Sequence, residues 1–223
     1  MSDSKRDELE LINVKKCLDF ELTGDEENKN WNIVEWINLP QRNSLGEVFL
    51  TKTKVLYSET GIYFLFYCED KEITATFNAD FKELWKEDVV EVFLWPDESV
   101  PVYFEYELSP LNYELPIMVS NELGDIIRWL PFHYDSDRKT RHNTSAHGGK
   151  KKSYSKISSW TAEFFIPFKL LRPLSNISPK KGSIWRANMC RIDYQKNTRI
   201  LWSWGEIKEN FHGYEKFGYF FFQ

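Results

Sequence analysis

The sequence predicts an all-β fold, a two-layer antiparallel β-sandwich, and three observations carry that expectation. Apolar and aromatic runs of strand length recur along most of the chain, clusters of turn residues separate them, and no long segment repeats its apolar residues at helical spacing. Residues 1–19 are expected to form a polar strap and residues 20–223 a single domain, because sandwiches of this length often fold as one unit.

The elements follow in chain order. Residues 1–30 are rich in Asp, Glu and Lys, with Leu11, Val14 and Phe20 as the anchors, which suits a strap carrying one edge strand. Segments 47–57 and 62–68 read as a hairpin turned at Gly61, and the second is apolar throughout, as a strand buried on both faces would be. Segments 89–95 and 102–108 form a second pair around Pro96, Asp97, Glu98 and Ser99. Segment 160–166 alternates polar and apolar residues and stops at Pro167; 184–192, 199–204 and 217–222 supply further strands. Short helical turns are expected only at 81–86 and 168–171. Between His133 and Ser153 runs a long charged loop with Arg138, Arg141, His142, His147, two glycines and three consecutive lysines.

Composition narrows the function. Of 223 residues 42% are hydrophobic, enough for a core that needs no metal or disulfide, and the 9 Trp, 11 Tyr and 17 Phe exceed what that core requires. Some rings are therefore expected to face a ligand. A net charge of −5 is the wrong sign for a surface built to neutralise phosphates, so nucleic acid is not an expected partner. No apolar run is long enough to cross a membrane, and the charged start MSDSKRDELE is unlike a signal peptide. The expected location is the cytoplasm for the chain as it stands, and outside the cell if a leader once preceded it. Cys17, Cys68 and Cys190 are odd in number and far apart, so neither a disulfide framework nor a zinc site is indicated, and no cofactor is expected.

Strand alternation sorts the chemistry. In 89–95 it puts Val90, Val92 and Leu94 on one face and Val89, Glu91, Phe93 and Trp95 on the other; in 102–108 it groups Tyr103, Glu105 and Glu107 against Phe104, Tyr106 and Leu108. A face bearing carboxylates and rings suits a sugar, whose hydroxyls need charged or amide partners and whose C–H patches need flat apolar cover. The same pattern also describes a solvated sheet face. Trp85, Trp202 and Trp204 are candidate ligand walls or core residues, and Asn188, Arg191 and Asp193 suit polyol recognition or an internal ion pair equally. Glu105 and Glu107, two apart on one strand, lie about 6.6 Å apart along the backbone, compatible with a glycosidase pair. No GxSxG, HExxH, P-loop or GxGxxG motif occurs. A sugar-active enzyme using Glu105 and Glu107, or the loop at His133, is the alternative to simple binding.

The segments TGDEENKNW, GIYFLFYCED, LWKEDVVEVFLWPD, YFEYELSP, WTAEFFIPF, IWRANMCRID and WSWGEIKENFHGYEKFGYFFF, in that order across residues 20–222, resemble a family 9 carbohydrate-binding module. The resemblance implies a β-sandwich of the immunoglobulin or DOMON kind that binds without catalysis. It implies a sugar of the β-linked glucan or xylan type held between two tryptophans. Carried onto this chain, Trp85 matches one wall, Trp204 the other with Trp202 as its rival, and Glu91 the acid that accepts sugar hydroxyls. The arginine such modules carry on the following strand is absent; ELSPLNYELP offers Asn112 or Tyr113 instead. The loop at His133, Arg138, Arg141 and His142 is expected to read an acidic or modified sugar. Calcium occurs in such modules, but no Asp-rich loop identifies a site.

Overall fold

The computed structural model describes residues 9–43, 45–196, 198–207 and 210–223. Among them are thirteen strands: β1 (Leu11–Lys16), β2 (Ile37–Asn38), β3 (Thr51–Tyr57), β4 (Gly61–Glu69), β5 (Val89–Trp95), β6 (Val102–Leu108), β7 (Glu114–Glu122), β8 (Asp125–Pro131), β9 (Arg141–His147), β10 (Ser159–Pro167), β11 (Ile184–Gln195), β12 (Thr198–Ser203) and β13 (Gly218–Phe222). The one α-helical turn, α1, covers Phe168–Leu171, and 3-10 turns stand at Lys29–Ile33, Leu84–Lys86, Ser136–Arg138 and Tyr214–Lys216. No helix of the described residues is long and apolar enough to cross a membrane.

The strands run β8-β7-β6-β5-β11-β13-β1-β3-β4-β10-β9, so one continuous ribbon folds over into two layers, with β12 beside β11 and β2 beside β3. The first layer ends and the second begins at β1. Its residues Leu11–Val14 pair with β13, and Lys15 and Lys16 pair with β3. Both of these pairings are parallel, whereas every other named pairing is antiparallel. The strap segment therefore supplies a seam strand between two neighbours rather than an edge strand.

Alternation builds the core as expected. Val90, Val92, Leu94, Phe104, Tyr106 and Leu108 from the first layer meet Ile62, Phe64, Phe66 and Phe164 from the second, all of them buried. In β4 the alternate residues Tyr63 and Leu65 are buried too, under Phe20, Leu22, Trp31, Val34 and Trp36 of the N-terminal segment. Glu163, with no exposed surface, anchors that cover: it accepts bonds from Trp31 Nε1 at 2.8 Å, Thr23 N at 2.5 Å and Gly24 N at 2.7 Å. A third apolar group, including Val89, Phe93, Tyr103, Ile117, Cys190 and Ile192, covers the outer face of the first layer and is roofed by Ile207, Phe211 and Phe217.

The segment expected to be one long charged loop is interrupted by β9, which pairs with β10 along its whole length. An edge strand needs to bury little on its outer side, and only Thr144 of its seven residues is buried, so its sequence reads as polar loop. Strands β7 and β8 extend the other edge; β8 is exposed at nearly every position.

Candidate functional site

The outer face of the first layer holds a cavity of about 270 Å³ lined by Trp85, Glu91, Glu105, Ile117, Ile126, Trp129, Arg199, Asn210, Phe211 and His212. That volume is near the lower end of small-molecule sites, which run roughly 300–1,000 Å³. Strand register explains its floor. Glu91 on β5 stands directly across from Glu107 on β6, and Glu105 lies two residues along the same face. One carboxylate oxygen from each of the three lies within 4.8 Å of the others. All three residues are buried, at 3%, 4% and 0% exposure for Glu91, Glu105 and Glu107.

Burial in this company favours the neutral acids. Desolvation pushes Glu91 up to about 8, against a smaller opposing pull from Arg199. Glu105 and Glu107 are raised well above the usual carboxylate range, first by desolvation and then by their acidic neighbours. Glu91 Oε1 and both Glu107 oxygens are buried without a hydrogen-bond partner. His212 is half-buried, its Nδ1 2.8 Å from Tyr103 Oη, and burial lowers it to about 4, so it stands neutral at pH 7.

The walls are Trp85 and Trp129, whose ring centroids are 5.2 Å apart at an interplanar angle of 84°. They form a corner rather than two parallel plates. Trp85 sits in the 3-10 turn before β5, and its carbonyl accepts a bond from Tyr194 Oη at 3.2 Å. Asp88 fixes that turn to the sheet: its carboxylate accepts from Thr74 N at 2.5 Å and Tyr194 N at 2.8 Å.

Of the residues singled out from sequence, Trp85, Glu91 and Glu105 meet at this cavity. The others stand elsewhere. Trp204, 5% exposed, belongs to the core between the layers, where its ring packs on Phe220 at 5.7 Å and closes over Gly218, leaving no room for a Cβ there. Trp202 also faces inward, its Nε1 donating to the Phe49 carbonyl at 3.0 Å. Arg191 stacks on Trp202 at 4.7 Å and donates to Asp70 at 2.9 Å, so the internal ion pair is the arrangement found. Asn188 is spent on the turn after β12, donating to Ser203 Oγ at 3.0 Å and accepting from Gly205 N at 2.9 Å. Asn112 pairs with His142 at 3.0 Å, and His133 stacks on Phe81 at 4.2 Å. Arg141 covers Phe165 at 4.6 Å, on the outer face of the second layer.

Sequence reasoning missed Trp129, Arg199, Phe211 and His212. Alternation along TRILWS carries the signal for Arg199, since it puts Arg199 and Leu201 opposite in sense to Trp202. Two other hollows are less suited to a ligand. One of about 330 Å³ beside Trp204 offers one ring, already packed, and Arg42, which donates to the Ser203 and Trp204 carbonyls. One of about 570 Å³ near Lys139 and His142 has no apolar wall.

Two acidic clusters bear on calcium. At Asp70, Asp88 and Asp193 the acids are already engaged by Arg191 and by backbone N–H groups. Among the described residues, the Glu91, Glu105 and Glu107 set carries three buried oxygens without a partner against Asp193 Oδ1 in the first, so its donors match a hard cation better.

A sheet face with a partly hydrophobic cavity, aromatic walls and convergent polar groups defines a ligand-binding β-sandwich. The chain matches the family described as Carbohydrate family 9 binding domain-like over residues 23–219, and it belongs to that family. Its fold is similar to that of a candidate carbohydrate-binding protein from Bacteroides uniformis ATCC 8492, with a TM-score of 0.77 at 16% identity over 96% of this chain and 100% of that one. It is also similar to a family 9 carbohydrate-binding module from Caldicellulosiruptor kristjanssonii. The complex of that module with cellotriose gives a TM-score of 0.66 at 17% identity, covering 96% of this chain and 94% of that one. The complex with glucose gives 0.67 at 17%, covering 96% of each. No curated protein matches the chain.

Proposed function

We propose that this protein binds a carbohydrate in the cavity walled by Trp85 and Trp129 and catalyses nothing there. The observation that carries the reading is the coincidence, on one sheet face, of two tryptophan rings with a floor of carboxyl groups. A pyranose has apolar C–H patches for an indole face and a rim of hydroxyls for hydrogen bonds. The corner geometry lets one ring cover a sugar face while the other meets its edge. Neutral carboxyls both donate and accept, which matches hydroxyl groups that do the same.

Two observations weigh against catalysis. Glu91, Glu105 and Glu107 share one floor, whereas a glycosidase needs its acid and base on opposite sides of the bond it cleaves. His212 has Nδ1 engaged and stands neutral, and His133 is outside the cavity. Membership in a binding-module family and the glucose and cellotriose held by the Caldicellulosiruptor module support a ligand of the β-linked glucan type, with its chain end or a single ring fitting the small volume.

Isothermal titration with glucose, cellotriose and xylotriose tests the reading, with product analysis after long incubation. Saturable heat with intact oligosaccharides is expected. Turnover that disappears in Glu105→Gln would instead establish an enzyme.

A further inference from the structure

We propose that Asn121 and Tyr103 lock the imidazole of His212 in a single tautomer, with its proton on Nε2, and that His212 thereby presents one fixed hydrogen-bond donor to an oxygen of the bound sugar. The link to sugar rests on the binding reading above; the tautomer does not.

The chain of donors starts at a side chain whose orientation its surroundings settle. Asn121 on β7 is 1% exposed; its Oδ1 accepts from Gly124 N at 3.2 Å, and its Nδ2 donates to the His212 carbonyl at 2.9 Å. Turning the amide over would set its oxygen against that carbonyl and its N–H groups against another N–H. The Asn121 atom 3.3 Å from Tyr103 Oη is therefore Nδ2, a donor only, and the phenol oxygen accepts from it.

Tyr103 passes this polarity on. The residue is 1% exposed, so its hydroxyl proton is not left to water, and a buried donor is normally satisfied. Among the described residues its oxygen bonds Asn121 and, at 2.8 Å, His212 Nδ1. Asn121 offers no acceptor there, so the phenol donates to Nδ1, and Nδ1 is the bare ring nitrogen. Burial lowers His212 to about 4, so at pH 7 the ring holds one proton, and that proton falls on Nε2.

Position gives the proton a use. His212 lines the cavity beside Asn210 and Phe211, and its ring packs against Phe93 at 5.6 Å and 85°. With Nδ1 turned to Tyr103 inside the protein, Nε2 is the nitrogen left for the cavity, and it has no partner among the described residues. The neutral carboxyls of Glu91 and Glu105 can meet a hydroxyl in either sense, as donor or acceptor. His212 cannot. It selects an oxygen free to accept: a ring oxygen, a glycosidic oxygen, or a hydroxyl whose own proton goes to the floor. Tyr103 and Asn121 touch no ligand themselves; they are positioning residues acting through His212.

The test uses the full chain carrying isotope-labelled histidine. The protein has four histidines, and a His212→Gln sample identifies the resonances that belong to His212. Long-range proton–nitrogen correlation spectra at pH 7 separate protonated from bare ring nitrogens. In wild type, Nδ1 should be bare and Nε2 protonated, and saturating cellotriose should move the Nε2 resonance far more than Nδ1. Tyr103→Phe should bring the second tautomer into the spectrum. In calorimetry His212→Asn, which has no nitrogen at the ε position, should weaken cellotriose binding about tenfold, the worth of one hydrogen bond in a largely buried site. His212→Gln, whose amide nitrogen can occupy the Nε2 position, should lose less. Circular dichroism and melting temperature serve as folding controls.

A wild-type spectrum with Nδ1 protonated would overturn the proposal whether or not any variant folds. A Tyr103→Phe spectrum identical to wild type would defeat the lock. Cellotriose that binds without moving Nε2, and equally well to His212→Asn, would remove His212 from sugar recognition and leave the carbohydrate reading standing. An Nε2-protonated ring that Tyr103→Phe perturbs, with no sugar bound under any condition, would uphold the lock and defeat the carbohydrate reading alone.

Discussion

Glu91 and Glu107 face each other directly across the β5–β6 ladder, both buried, with three of their four carboxylate oxygens unpartnered. Two acids in register across antiparallel strands would repel if both were ionised, and no lysine or arginine lies between them. The pair tolerates this by holding protons. Its consequences are measurable.

The first is a pH dependence of stability. Glu91 titrates near 8 when folded and near 4.5 when unfolded, so the native state binds the extra proton between those values. Its contribution to stability is fully present below about pH 4.5 and lost as pH rises toward 8, at up to about 1.4 kcal/mol per pH unit. Glu105 and Glu107 act in the same direction. His212, lowered to about 4, acts in the opposite sense below pH 6.5. Urea unfolding in EDTA from pH 5 to 8.5 should show wild type losing stability relative to Glu91→Gln as pH rises; parallel curves would refute the assignment.

The two wall tryptophans should separate from the two core tryptophans. Trp85→Ala and Trp129→Ala are expected to weaken sugar binding by about 1–3 kcal/mol with the fold retained. Trp204→Ala is expected instead to cost about 3–5 kcal/mol of stability, as for a buried large ring. Titration calorimetry and denaturant melts on the same three variants decide it.

Arg191→Met should destabilise by about 3–5 kcal/mol, because Asp70 and Asp193 would keep their buried position without their cation. Sugar affinity of the folded fraction should be unchanged. A loss of affinity with no loss of stability would return Arg191 to the binding site.

Glu163→Ala strips the acceptor from Trp31 Nε1 and the amides of Thr23 and Gly24. Leaving buried donors unpaired should cost about 2–3 kcal/mol in all. Hydrogen exchange should rise first between residues 20 and 36, ahead of the sheets.

Much of the fold was legible because most strands bury one face or two. Apolar runs such as GIYFLFYCE and VVEVFLW leave no other reading; alternation put Glu105 and Glu107 on one face of their own strand, and it took the β5–β6 register to set Glu91 beside them. Strands β7, β8 and β9 were not legible: β8 and β9 each lie at an end of the ribbon and bury little, so DIIRWLP and RHNTSAH lack a core signature, while β7, though mostly buried, carries Pro116 inside its run. That same omission hid Trp129, which β8 carries to the cavity. The expected second wall failed for a different reason. Trp202 and Trp204 are two residues apart and turn toward the same side, so choosing between them could not matter once Arg191, in register with Trp202, was known to point inward. A resemblance can match a tryptophan in order along the chain without matching the face it occupies.

The seam strand β1 has a mechanical consequence. It runs parallel to β13 and lies beside it, with Leu11 next to Tyr219 and Val14 next to Phe222. Tension applied before residue 11 and after residue 222 would therefore pull these neighbours past each other along their length, loading the hydrogen bonds of the pair together rather than opening them one at a time. Because β1 also grips β3, the same pull is shared by the second layer. A sandwich stitched this way resists stretching between its ends in shear.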